Sequence, residues 1–242
     1  MFKITNYYVA EDVKDAYNTL IKTKSNVILG GNMWLRLQDK NVHTAIDISK
    51  IGLNFIEEDD NSVKIGAMTT LSDIERSEIL QENFGTLFKD MTHHIVGTQF
   101  RNTATVGGSI FGRFGFSDIL TGILPLDAIV CTAKHGEIEL VKFAEMPFEK
   151  DVLEYVKIPK RAQKICYKSF RNQATDFPVI AVCVCKCGDD TKISVGARPH
   201  KAKLVSTIDE AIALDFGTNM RASADYRREL TKILLTDAIS EV

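Results

Sequence analysis

The sequence predicts an α+β protein, and three observations carry that reading. Helical and strand patterns alternate through the first half of the 242 residues, strands dominate the second half, and two helical stretches close the chain. Residues 12–22 place Val13, Ala16, Leu20 and Ile21 at helical spacing. Residues 27–29 are a short β-branched run ending at Gly30-Gly31, a strand followed by a tight turn. Short strands are expected at 45–48 and 63–67. A helix over 71–80 takes Ser72 as N-cap with Glu75 three residues on, the capping-box spacing, and residues 83–93 extend or follow it. Residues 118–126 read as an apolar helix stopping near Pro125, and 128–132 as a strand.

Strands follow at 138–141, 152–158, 165–171, 179–187 and 192–197, with Gly188-Asp189-Asp190 as the hairpin turn between the last two. The closing helices cover 208–214 and 223–240; the second sets Tyr226, Leu230, Ile233, Leu234 and Ala238 on one face. The change of character places a boundary near 160, around Pro159-Lys160-Arg161, and no repeat or low-complexity segment interrupts either half.

Composition narrows the function. Thirty basic against thirty-two acidic residues leave a net charge of −2, too little basic excess for a nucleic-acid binder. Hydrophobic residues at 45% and charged residues at 26% are those of a globular chain, not a disordered one. No run approaches the roughly 18 apolar residues that a membrane span needs. The start, Met1 to Asn6, lacks the charged-then-apolar order of a signal peptide, so no membrane partner and a cytoplasmic location are expected. Of five cysteines, three read C-x-C-x-C from Cys183 to Cys187. On a strand their sulfurs point one way but lie spread along it, and no second pair completes a ligand set, so buried strand cysteines are expected rather than a metal site. His93-His94 reads as a helix-terminal or surface pair, because neighbours on a helix do not share a face.

Two diglycine turns carry the chemistry. The first is Leu29-Gly30-Gly31-Asn32-Met33-Trp34, directly after a strand; the second is Thr105-Val106-Gly107-Gly108-Ser109. Glycines let backbone N–H groups approach a ligand, and Asn32 or Ser109 can hydrogen-bond to phosphate or ribose. Brought together, the two loops could hold a pyrophosphate. Neither is the G-x-x-x-x-G-K-[ST] loop of an ATPase nor the G-x-G-x-x-G of a Rossmann site. Trp34 is open between packing on a cofactor, at a subunit interface, or in the core.

Taken together, these residues resemble the FAD-binding subunit of the molybdopterin dehydrogenases, the family of xanthine dehydrogenase and carbon monoxide dehydrogenase. Its A-G-G-T-D-L loop is similar to Leu29 to Trp34, its I-G-A-x-T-T to Ile65-Gly66-Ala67-Met68-Thr69-Thr70, and its T-I-G-G-N to Thr105 to Ser109. An Asp nine residues further on is matched by Asp118, and the E-Y-R-R-x-L near the end by Asp225 to Leu230. Each motif alone is weak; five in order along nearly the whole chain are specific. The departures are Asn32-Met33 for T-D, Ser109 for Asn, and Gly112 to Ser117, where small polar residues are usual.

The resemblance implies an N-terminal FAD-binding domain over residues 1–160, built of two α/β lobes of the PCMH type. It implies a C-terminal domain over 161–242 with a three-stranded antiparallel sheet and helices, as in the carbon monoxide dehydrogenase flavoprotein. It implies FAD as cofactor, with Val27, Ile28, Leu29, Gly30, Gly31, Asn32, Met33 and Trp34 in the first loop and Thr105, Val106, Gly107, Gly108 and Ser109 in the second. Asp118 would bond a ribose or ribityl hydroxyl, Ile95 would make an apolar contact, and Leu153 and Lys168 would line the flavin ring. Lys168 has an alternative as a solvated strand lysine, and Arg113 one as a phosphate contact, a partner contact or a solvated side chain.

The implied activity is electron transfer inside a larger hydroxylase. Electrons would pass from [2Fe–2S] clusters of a small subunit through this FAD to NAD⁺ or another acceptor. The molybdopterin cofactor would sit on a large subunit, giving a heterotrimer. Two alternatives are a stand-alone FAD reductase and a non-catalytic scaffold that has lost FAD. The substrate of such a complex is not legible here.

Overall fold

A computed structural model describes residues 3–242; Met1 and Phe2, part of the stretch read above for a signal peptide, lie outside the described residues. The first lobe consists of β1 (Lys3–Val9), α1 (Val13–Ile21), β2 (Val27–Leu29) and β3 (Asn41–Asp47). Its three strands pair in parallel in the order β1-β3-β2. Asp12 caps α1, its carboxylate accepting from the Asp15 N–H at 2.7 Å. At the other end, the Lys150 ammonium donates to the carbonyls of Leu20, Thr23 and Asn26 at 3.1, 2.5 and 2.9 Å. A cation is favourable at a helix C-terminus, and this one ties the first lobe to the second.

The second lobe runs through β4 (Ile56–Glu58), β5 (Ser62–Gly66), α2 (Leu71–Arg76), α3 (Glu78–Phe84), α4 (Leu87–Thr92), α5 (Thr98–Arg101) and α6 (Val106–Phe111). It continues with α7 (Asp118–Ile123), a 3₁₀ turn (Leu124–Leu126), β6 (Ile129–Thr132), β7 (Gly136–Glu139), α8 (Leu140–Glu145) and β8 (Leu153–Pro159). Its sheet is antiparallel in the order β4-β5-β8-β6-β7. The helix expected over 71–80 is broken. Thr70, not Ser72, caps α2 in a capping box with Asp73, and Ser77 then caps a new helix by accepting from the Leu80 N–H at 3.3 Å. Serine beside its own backbone competes with helix continuation, which the apolar spacing does not reveal. The strand expected at 138–141 gives way at Leu140, where α8 begins.

The last part comprises β9 (Lys164–Phe170), β10 (Ile180–Cys187), β11 (Asp190–Gly196), β12 (Lys203–Val205), α9 (Ile208–Ala213) and α10 (Ala224–Ser240). The expected three-stranded sheet has a fourth strand: β12 pairs with the outer edge of β11, giving the order β12-β11-β10-β9. Three half-buried residues leave too short an alternation to read from sequence. β8 ends at Pro159 and β9 of the next sheet begins at Lys164, on either side of the boundary expected near 160. Packing is nonetheless continuous across it, because Tyr167, Ala181, Cys183 and Cys185 pack into the core built by the second lobe. Cys183 and Cys185 are buried and unbridged, and burial pushes both thiols up, Cys185 to about 11. α10 covers the opposite face of this sheet; its Leu230, Leu235 and Ala238 join Val182, Val184 and Val195.

Asp127 locks the turn after α7 to both neighbouring segments. Its backbone is left-handed (φ 53°), and its carboxylate accepts from Lys192 on β11 at 2.6 Å and from Arg161 in the connecting loop. Burial alone would raise this carboxyl, but Lys192 and Arg161 outweigh it and hold it below the ordinary value. An acid with a lowered folded-state pKa contributes stability above its unfolded value, near 4, and loses it as pH falls through the folded value. Asp127→Asn, which keeps a residue tolerant of the left-handed backbone, should therefore cost about 1 kcal/mol at pH 7. That is roughly 2–4 °C in melting temperature for a chain of this size. Thermal melts of both proteins from pH 7 to pH 3 should show the gap closing as the wild-type carboxylate protonates.

Candidate functional site

An open cleft with a volume of about 360 Å³ lies where both lobes meet the segment after β9. Its floor is the pair of glycine turns. Gly31 is pressed against the chain before α6: a Cβ there would stand 2.1 Å from the Thr103 carbonyl oxygen. Gly107 is equally confined, with the Ala67 carbonyl oxygen 2.7 Å from where a Cβ would be. The first contact brings the turns together, and the second seats the Gly107 turn on the 65–70 segment. Their outer glycines are different: a Cβ on Gly30 would meet only the Thr105 hydroxyl at 3.5 Å, and one on Gly108 the same oxygen at 3.3 Å. Both line the cleft.

The second turn is held from behind by the 65–70 segment. The N–H groups of Val106 and Gly107 donate to the carbonyls of Thr69 and Ala67 at 2.9 and 2.8 Å, and Leu71 donates back to Ala104 at 2.9 Å. Thr105 caps α6 by accepting from the Gly108 N–H at 3.2 Å. Ser109 donates to the Thr105 carbonyl at 2.9 Å, and Ser117 donates to the Ser109 carbonyl at 2.7 Å while capping α7. The first turn leaves one buried acceptor without a partner, the side-chain oxygen of Asn32, whose residue adopts φ 58° and lines the cleft. A buried polar atom with no partner costs free energy that a donor on a ligand would recover.

Asp118, first residue of α7, is buried at the cleft wall. One carboxylate oxygen accepts from the Tyr167 hydroxyl and from Arg171 Nη2, the latter at 2.5 Å. Burial pushes this carboxyl up from its ordinary value, and the Arg171 guanidinium and Tyr167 hydroxyl pull it back. Arg171 also donates to the Asp176 carbonyl at 2.6 Å, while its Nε has no partner. Asp176 in turn receives Arg221 through two nitrogens, at 3.0 and 2.7 Å, and that hydrogen bonding lowers its carboxyl. The loop after β9 is thereby fixed against the cleft.

Of the residues expected to hold the cofactor, Val27, Ile28, Gly30, Gly31, Asn32, Met33, Trp34, Ile95, Thr105, Gly108, Ser109 and Asp118 line this one cleft. Leu29 lies in β2 opposite Asp47, while Val106 and Gly107 are buried behind the second turn. Leu153 and Lys168 are placed elsewhere. Leu153 is a core residue of β8, and Lys168 pairs with Glu241 and Asp237 at 2.5 and 3.1 Å in a separate groove beside α4. Arg113 is neither a phosphate contact nor solvated. It is buried, donates to the carbonyls of Met146 and Pro147, and sits 4.0 Å over the Phe143 ring. Sequence reasoning missed Arg171 and a set of rings, Phe100, Phe114, Phe116 and Phe177, that line the cleft with Trp34. Among the described residues no group of three or more His, Cys, Asp or Glu side chains comes together to hold a metal.

Paired glycine turns at the seam of two α/β lobes, with a buried acid beside them, form a cleft suited to a dinucleotide, and similarity to known proteins places the chain among the flavoprotein subunits of oxidoreductases. The chain belongs to the family described as the FAD binding domain in molybdopterin dehydrogenase, whose model matches residues 2–175. It is 25% identical to the glyceraldehyde dehydrogenase medium chain of Sulfolobus acidocaldarius, over 98% of both chains. It is 30% identical to a xanthine dehydrogenase FAD-binding subunit of Escherichia coli O157:H7, over 53% of this chain and 46% of that one. Its fold superposes on a chain of carbon monoxide dehydrogenase from Hydrogenophaga pseudoflava with a TM-score of 0.88, at 21% identity and 98% and 96% coverage. The cofactor of the family is FAD, and the open faces of Gly30 and Gly108 with the unpartnered Asn32 oxygen fit such a group. No helix among the described residues is long and apolar enough to cross a membrane.

Proposed function

We propose that this chain is the FAD-binding, electron-transferring subunit of a molybdenum hydroxylase, working with a molybdopterin-binding large subunit and a [2Fe–2S] small subunit. One observation carries the reading: both glycine turns open onto a single cleft at the interlobe seam, against a buried acid and an unpartnered acceptor. Gly30 and Gly108 would leave room for the pyrophosphate, and Asn32 would accept a hydrogen bond from the cofactor. Asp118, held by Tyr167 and Arg171, would accept one from a ribose or ribityl hydroxyl. Bound FAD supplies exchange between one-electron and two-electron partners, with NAD⁺ or another acceptor at the end of the chain of transfers. Relatives bear the names of dehydrogenases of glyceraldehyde, xanthine and nicotinate, so the substrate is set by a partner rather than by this fold.

The test is a visible absorption spectrum of the purified chain, with any released flavin identified. FAD near one per chain is the expected result. No flavin in the chain, and none in the co-expressed complex after reconstitution, would overturn the reading. Large and iron–sulfur subunits that co-purify would separate it from a stand-alone reductase.

A further inference from the structure

Five aromatic rings from four separate segments meet in the cleft. Trp34 follows the first glycine turn, Phe100 is on α5, Phe114 and Phe116 lie between α6 and α7, and Phe177 follows β9. Trp34 stacks on Phe177 with centroids 5.5 Å apart and planes at 25°, and meets Phe116 edge-on at 5.7 Å. Phe114 stacks on Phe116 at 5.1 Å and 8°. Such a set in a core would be fully buried, yet Trp34 is 37% and Phe114 40% exposed. Exposed rings in a concave site are unused stacking surface, since each bare face gains by covering a planar group.

Trp34 stands two residues from the unpartnered Asn32 oxygen, beside the glycine cradle. Its support is fixed, because Arg221 lies 4.9 Å over the Phe177 ring and is held there by Asp176. A polar cradle with a rigid, half-bare indole next to it matches a ligand that joins phosphate to a planar nitrogen heterocycle.

We propose that Trp34 is a stacking platform for a heterocyclic ring of the bound dinucleotide and sets the affinity of the cleft for it. This rests on the FAD reading above. Two rings of that ligand share the chemistry, the flavin and the adenine, and truncated ligands tell them apart. FAD, riboflavin and ADP are titrated by calorimetry into the wild-type chain and into Trp34→Phe and Trp34→Leu. Loss of base stacking on an aromatic side chain should weaken FAD binding about fivefold or more in Trp34→Leu. Trp34→Phe should stay within about threefold of wild type. A matching loss for riboflavin assigns the flavin ring, and one for ADP the adenine.

Should Trp34→Leu fail to fold, the wild-type chain still carries the test, because Trp34 is its one tryptophan. Quenching of its emission by acrylamide should fall at least twofold once FAD is bound. Unchanged FAD affinity in Trp34→Leu, equal losses in Leu and Phe variants, or unchanged acrylamide access would each overturn the platform. A wild-type chain that takes up none of the three ligands would instead overturn the FAD reading beneath it.

Discussion

Gly108→Val should abolish FAD binding and leave the fold standing. The position is chosen by what surrounds each glycine. A Cβ at Gly31 would strike the Thr103 backbone at 2.1 Å and one at Gly107 the Ala67 backbone at 2.7 Å, so substitution there would displace a turn from its support and damage scaffold and site together. Gly108 has no such neighbour; a Cβ meets only the Thr105 hydroxyl at 3.3 Å, and the remaining direction is the cleft. Its backbone lies within α6, which valine tolerates at a cost of a few tenths of a kcal/mol beyond alanine. Two added methyl groups would occupy the face shared with Gly30. The measurement is FAD content by absorbance, alongside far-ultraviolet circular dichroism. Loss of FAD binding by at least 100-fold with unchanged dichroism is expected, and retained FAD would remove this turn from the site.

The first glycine turn was legible because Gly30-Gly31 directly follows a strand; the second diglycine was legible as a pair, but its place in the first turn of α6 was not. The 65–70 motif was legible only as a resemblance; its physical role, two backbone bonds from Ala67 and Thr69 that hold the second turn in place, needs the tertiary contact between segments distant in sequence. The same holds for the arginines of the closing helix. Arg227 is buried and donates to the carbonyl of Ala197 at 2.9 Å and to the side chain of Asn219 at 2.5 Å, so that motif fastens the loop before α10 to the sheet. Lys168 shows the opposite failure. It lies on the expected strand, but the register of β9 turns it toward Glu241 and away from the cleft, and alternation alone cannot say which face of a strand meets which cavity. Arg171, three residues on, reaches the cleft instead. Phe114, Phe116 and Phe177 escaped because they sit in loops, and Phe100 because its helix has only four residues, so no periodicity signals a shared destination.

Asp118→Ala should destabilise the chain by about 3–5 kcal/mol, the cost of leaving a buried cation without its counter-ion. Arg171 is nearly as buried as Asp118, its side chain 7% exposed against 6%, and Asp118 supplies its one ion pair among the described residues. The Tyr167 hydroxyl, fully enclosed on β9, loses its acceptor in the same step. Tyr167 lies on β9 and Arg171 directly after it, so the loss weakens the join between α7 and the C-terminal part of the molecule. Asp118→Ala combined with Arg171→Met removes both charges and should recover most of that stability, because replacing a buried pair by apolar groups is often neutral. FAD affinity should not recover, since the acceptor at the cleft wall is gone in either protein. Urea midpoints and FAD titrations on the two single variants and the double variant separate the roles. A double variant that regains both stability and affinity would reduce Asp118 to a counter-ion for Arg171, while one that regains only stability makes the carboxylate part of the cofactor site.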